Sequence, residues 1–336
     1  MHVYCQFSVT DSLLHLHCCC KCNYNATLLS IFQAVIFYDT GEMILKITVI
    51  SLLTQSIHLP GISANEDQSR TELHVTYCRG ADGFHKLPTS VHEINEKSPP
   101  DWVIAGYDEE LKCDIYSYPN DPRMMLLFDQ WGNPCAMRLG YIIEDLPKRG
   151  ESNNREFTYR YDDKPMYRLA NYWDTDIWET TFLFTSPETL KNGGRKETGG
   201  IFADEVWMPL TGEYVRIPDH EYGIMSIGFT KQACHKGMGN HYFFNMTPWL
   251  DCHDWLGPYV HYENRKLVGI ANAPFGSFTY LHQNWFEIHE PRFVDRVMPF
   301  KPGCFNDWLK YIGTTAIHIY LVANPRNISC DACLFG

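Results

Sequence analysis

MMLLFDQWGNPCAMRLGYII, running from Met124 to Ile143, decides the fold class. Met124 to Phe128 is an unbroken apolar run of a length that suits a buried strand and is too short for a buried helix. Asp129-Gln130-Trp131-Gly132-Asn133-Pro134 is dense in turn-forming residues. Cys135 to Ile143 is apolar again, so the stretch reads strand, turn, strand. The same signature recurs along the chain. Tyr172 to Thr185, Val206 to Met208, Tyr214 to Ile217, Ile224 to Phe229 and His241 to Asn245 read as short strands between turns. Tyr259 to Tyr262 pairs with Leu267 to Ala271 across Glu263-Asn264-Arg265-Lys266, and Thr315 to Val322 is a further strand. Phe305 to Tyr311 offers one or two helical turns. The expected fold is mainly antiparallel β, a disulfide-stabilised sandwich in a single domain with a short helix near Trp308.

Composition agrees with a packed globular chain: of 336 residues, 45% are apolar and 20% charged. Net charge is −12 and no run of Lys or Arg could track a phosphate backbone, so nucleic acid is not an expected partner.

The N-terminal 64 residues stand apart. Met43-Ile44-Leu45-Lys46 and the apolar Ile47 to Leu53 form a basic start and a hydrophobic region, and Ile62-Ser63-Ala64 supplies small residues for cleavage. The apolar run is about half the ~20 residues that span a bilayer, so 43–64 reads as a signal peptide rather than an anchor. Residues 1–42, with Cys18-Cys19-Cys20-Lys21-Cys22, carry no recognisable folded element and read as an upstream extension or a cysteine-rich leader. Residues 65–100 look like an irregular arm, and 101–336 like the β-rich domain.

Beyond residue 64, eight cysteines remain: Cys78, Cys113, Cys135, Cys234, Cys252, Cys304, Cys330 and Cys333. An even number behind a signal peptide implies up to four disulfides in an oxidising compartment, with the pairing open. Sequons at Asn245-Met246-Thr247 and Asn327-Ile328-Ser329 fit the same secretory route. The expected localisation is extracellular.

Familiar catalytic signatures (G-x-S-x-G, H-E-x-x-H, a Walker loop, a dinucleotide fingerprint) are absent from the sequence. Histidine is the positive feature. Seven histidines fall between His235 and His318, and three of them, His241, His261 and His318, lie within expected strands, where a rigid backbone can hold metal ligands. Each equally suits a hydrogen-bonded core position. Cys330-Asp331-Ala332-Cys333 has redox spacing, but without a βαβ pattern before it the pair reads as structural staples. Tryptophans crowd the second half, and Trp249, Trp255 and Trp285 are candidates to line a pocket for a small or glycan-like ligand, if they are not core.

Cys234 to Cys252, CHKGMGNHYFFNMTPWLDC, is the densest stretch of chemistry. Met238-Gly239, His241-Tyr242, Asp251-Cys252, His318-Ile319-Tyr320-Leu321 and Cys330 together resemble a family of secreted invertebrate proteins. That family carries Cys-x-x-Met-Gly-x-His-Tyr, a nearby Asp-Cys and a terminal His-Ile-Tyr-Leu strand. The likeness spans roughly Phe202 to Cys330. It departs at Cys234, four residues before Met238 rather than three, and at Tyr280-Leu281-His282, where the family has Tyr-Glu-His. The resemblance implies His241, His282 and His318 as the histidines that matter and brings no established activity. Three functions are therefore expected in order: an extracellular binding module, a copper- or zinc-dependent enzyme using those histidines, and a structural component of a matrix or secretion.

Overall fold

The structure is a computed structural model that describes residues 70–77, 83–98, 100–146, 159–277, 283 and 285–330, together with the backbone of four strands nearer the N-terminus. Those four, Val3–Thr10 (β1), Leu13–Cys20 (β2), Ser30–Asp39 (β3) and Glu42–Ser51 (β4), pair antiparallel in chain order within a unit of their own, Met1–Asn65. Residues 1–42 thus run largely as strands, as befits segments rich in Leu, Ile, Val and Phe. The segment read as a signal peptide begins in β4, and its remainder lies outside the described residues.

The second unit, Glu66–Gly336, is built from two antiparallel sheets. Its strands are Leu73–Val75 (β5), His85–Leu87 (β6), Val103–Asp108 (β7), Cys113–Tyr118 (β8), Asp121–Phe128 (β9), Pro134–Ile142 (β10), Arg168–Tyr172 (β11), Thr175–Leu183 (β12), Val206–Met208 (β13) and Val215–Ile217 (β14). Phe229–His235 (β15), Gly239–Phe244 (β16), Pro258–Glu263 (β17), Lys266–Asn272 (β18) and Ile317–Tyr320 (β19) complete them. One sheet runs β14–β13–β12–β10–β9–β8–β7 with β11 also on β12, and the other runs β15–β16–β17–β18–β19–β5–β6. The Met124–Ile143 stretch is the β9–β10 hairpin, as its apolar runs and turn require.

Side chains on β10 alternate between two cores. Met137, Leu139 and Tyr141 face the main core between the sheets, where the Tyr141 hydroxyl accepts a hydrogen bond from Asn272 of β18 at 2.7 Å. Ala136, Arg138 and Ile142 face the other way. There the eight-stranded sheet rolls until β7 and β11 meet: a Cβ on Gly106 would lie 3.8 Å from the Tyr172 ring. Cys113, Ile115, Met125, Leu127 and Ile177 fill the roll. Among them Arg138 pairs with Asp108 and, at 3.5 Å, with Glu179; it also donates to Thr181 and Tyr172.

Of the short α-helices Val91–Asn95 (α1), Pro187–Lys191 (α2), Pro291–Val297 (α3) and Phe305–Tyr311 (α4), the last two cover the outer face of the seven-stranded sheet, and the helix expected near Trp308 is α4. Disulfides join Cys234 to Cys330 (Cα–Cα 5.7 Å) and Cys252 to Cys304 (6.3 Å). Cys113 and Cys135 are not bridged; they are buried thiols in contact inside the roll, where burial pushes the Cys135 thiol well up. Cys78 and Cys333 lie outside the described residues.

Two local expectations change. The segment 65–100 is no irregular arm: β5 and β6 extend the seven-stranded sheet, and Ser90 caps the short helix Val91–Asn95 through Glu93 N. Ile224 to Phe229 is not one strand. A 3-10 helix, Glu221–Ile227, ends on Gly228 at φ 94°, and only then does β15 start, because the glycine takes the left-handed turn that redirects the chain.

Candidate metal centre

Three histidines meet on the outer face of the seven-stranded sheet. Register brings them there: His241 of β16 pairs with His261 of β17, His261 with Gly269 of β18, and His318 of β19 with Ala271 of β18. Ile270 and Ile319, of opposite parity to Ala271 and His318, turn toward the inter-sheet core. Gly269 lets His261 settle. A Cβ there would stand 3.3 Å from His261 Nδ1 and 3.2 Å from the Ile319 carbonyl oxygen, closer than most side chains tolerate.

Irregularities in the ladder aim the ligands. A bulge in β15 sets Gln232 and Ala233 opposite His241, and the freed Ala233 carbonyl accepts from His241 Nδ1 at 2.9 Å. That bond fixes the tautomer, leaving Nε2 with its lone pair toward the cluster. Glu287 pairs through its backbone with Ala316, just ahead of β19, and its carboxylate accepts from His318 Nδ1 at 2.6 Å and from the backbone N–H of Tyr77 at 2.8 Å. A carboxylate or backbone carbonyl behind a histidine is the usual support for a metal-bound imidazole. The Tyr259 hydroxyl, 3.0 Å from His318 Nε2, occupies the remaining nitrogen.

His261 is the anomaly. It is fully buried, at 0% exposure, yet neither Nδ1 nor Nε2 has a hydrogen-bond partner. A buried polar atom left unpaired costs about 1–3 kcal/mol, so two on one ring call for an explanation. One ligand nitrogen from each of His241, His261 and His318 lies within 4.8 Å of the others. Nitrogens bound tetrahedrally to one zinc ion stand about 3.3 Å apart, so the rings need to close by only about 1.5 Å. Burial, with His318 nearby, holds His241 down to about 3, and burial with both neighbouring histidines takes His261 well below the ordinary value. Both rings are neutral at physiological pH, the form a metal binds. Glu287, His289 and His318 make a second such group that shares His318.

A cavity of about 20 Å³ adjoins the cluster, lined by His241, His289, His318, Tyr259 and carbon-rich side chains that include Trp255, Val294 and Val297. The strand-borne set His241, His261 and His318 is therefore brought together, while His282, implied by the resemblance in place of His261, lies outside the described residues. Reading from sequence missed Glu287 and Tyr259; the one available signal was the strand parity that puts Tyr259 and His261 on one face of β17.

The three tryptophans do not share a pocket. Trp255 is buried beside the cavity and donates from its indole to the Ala273 carbonyl at 2.9 Å. Trp249 is 89% exposed. Trp285 stacks on Trp102 (centroids 5.8 Å apart) at a separate cleft of about 100 Å³ with Tyr118. Asn245 and Asn327 are both exposed. No helix among the described residues is long and apolar enough to cross a membrane. No protein-family model, curated protein or solved structure matches the chain.

Proposed function

We propose that the protein is a secreted, glycosylated metalloenzyme whose centre is His241, His261 and His318 holding one copper or zinc ion. The observation that carries this reading is His261, buried with both ring nitrogens unpaired between two histidines whose outer nitrogens are already anchored. Three imidazoles without a thiolate suit copper or zinc and leave a coordination position toward the cavity. A metal there polarises a bound small molecule or lowers the pKa of bound water. Glu287 orients His318, and the Tyr259 hydroxyl stands where it can donate a hydrogen bond to whatever the ion binds. Secretion is supported by the leader-like segment and the two disulfides, and glycosylation by the exposed Asn245 and Asn327.

Metal content of the purified protein tests the centre. The expected value is roughly one copper or zinc per chain, falling below about a tenth in His261→Ala. A folded protein without metal ends this reading.

A second reading, the binding module, is favoured by one observation: the cleft in which Trp102, Trp285 and Tyr118 meet Lys86, Glu93, Lys97 and Asp101. Aromatic faces beside charges of both signs suit a sugar ring. Titration of intrinsic tryptophan fluorescence with a panel of mono- and disaccharides, repeated on Trp285→Ala, tests it. A response equal in both proteins removes it.

A further inference from the structure

The cavity beside the histidines restricts what the centre can take. Resting on the trihistidine reading, we infer that its reactant is a small, apolar molecule of two or three heavy atoms, such as dioxygen or carbon dioxide, and not an extended organic substrate.

Size is the first argument. About 20 Å³ admits little more than one water-sized body, since roughly 10–15 Å³ is needed for a single water. Chemistry is the second. Apart from the histidines, the polar side-chain groups on the wall, among the described residues, are those of Trp255, Tyr259 and Thr314, and the Trp255 indole is spent on the Ala273 carbonyl. Tyr259 is bonded to His318 Nε2 and, once that nitrogen holds the ion, offers its single hydroxyl to the ion's reactant, while the Thr314 hydroxyl faces the carbonyls of Ala273 and Pro274 at 3.1 and 2.7 Å. Among the described residues, no further hydroxyl and no carboxylate lines the wall to recognise a sugar or peptide; most of it is aromatic and aliphatic carbon. The roof is the third. Val294, Val297 and Met298 close the cavity from α3 and its C-terminal end. The chain just beyond is fastened to the bulge of β15: Gln232 donates to the Phe300 carbonyl at 3.1 Å and accepts from Phe300 N at 3.0 Å. Cys304, at the start of α4, is bonded to Cys252. A larger ligand would have to break these ties.

Carbon monoxide and ethyl isocyanide, which both bind copper(I) and differ in bulk, are the probes. Copper(I)-loaded protein is expected to bind carbon monoxide and exclude ethyl isocyanide. Val297→Phe, which fills the cavity, should weaken carbon monoxide binding about tenfold or more at unchanged copper content. Val294→Ala, which enlarges the cavity without overpacking, should admit the isocyanide. Equal binding of both probes by the unmodified protein, or carbon monoxide binding indifferent to Val297→Phe, overturns the inference while leaving the centre standing. Protein that takes up no metal overturns both. In the zinc-loaded protein, hydration of carbon dioxide that is lost in Val297→Phe assigns carbon dioxide; oxidation of the copper(I) protein by dioxygen that is slowed in Val297→Phe assigns dioxygen.

Discussion

Single residues carry the largest electrostatic stakes in this molecule. Arg138 is buried in the rolled sheet between Asp108 and Glu179, with Arg168 bridging the same two acids from the edge. Burial alone would raise the Asp108 carboxyl, but hydrogen bonds from Arg138 and the Leu111 backbone, with the charges of Arg138 and Arg168, hold it below its usual range. Removing the central guanidinium leaves two buried carboxylates to share Arg168 at the edge. Arg138→Ala should cost about 3–5 kcal/mol in urea unfolding, with the m-value unchanged. His241 gives a pH prediction. Its folded value of about 3 lies below the ordinary ~6.5, so the unfolded chain takes up a proton that the fold refuses. The stability involved is complete above about pH 6.5 and is lost as pH falls toward 3. The melting temperature of metal-free protein should drop between about pH 7 and 4.5, and drop less in His241→Gln. At this scale the sequence was half legible. That histidines lie in strands could be read from pattern, but the support that Glu287 and Ala233 give them depends on an isolated bridge and a bulge, and neither leaves a periodic trace.

Strands were easier to read than their exceptions. The hairpins β9–β10 and β17–β18 follow from apolar runs bounded by turn residues, because burial on both faces leaves little choice of partner. β5 and β6 escaped notice since three residues are too few to show alternation; their position next to β19, not their composition, makes them strands. The irregular points are the ones that shape the histidine cluster. Gly269 sits where β18 has just bulged and where His261 and the Ile319 carbonyl close in. Gly269→Val should displace His261 and lower metal affinity about tenfold or more. Isothermal titration with zinc, beside a circular dichroism spectrum showing the sheets intact, checks that outcome.

Across the whole molecule, the trihistidine cluster lies between a sheet and a helical roof that are clamped together covalently. Cys252–Cys304 closes a segment of 52 residues that contains β17, β18 and α3, so breaking it leaves the roof tied to β15 through Gln232 and Phe300 without a covalent clamp. Chain-entropy reasoning sets the loss at about 4 kcal/mol. The paired Cys252→Ala, Cys304→Ala variant should melt well below the unmodified protein and release bound metal to a chelator faster; calorimetry and a competition assay read the two effects. The sandwich class was legible from sequence because strand length and turn spacing are local properties. The roll of the eight-stranded sheet was not, because it depends on where β7 and β11 meet, more than sixty residues apart.

The position of β19 has one more consequence. This last strand inserts between β18 and β5, so the sheet stays in two pieces until the C-terminal end of the chain arrives. His318 comes with it, and Cys330 follows twelve residues later to bond Cys234. During synthesis, therefore, His241 and His261 stand for an interval without His318 beside them. If the cluster holds an ion as proposed, a chain cut short before β19 would lack one of its three ligands.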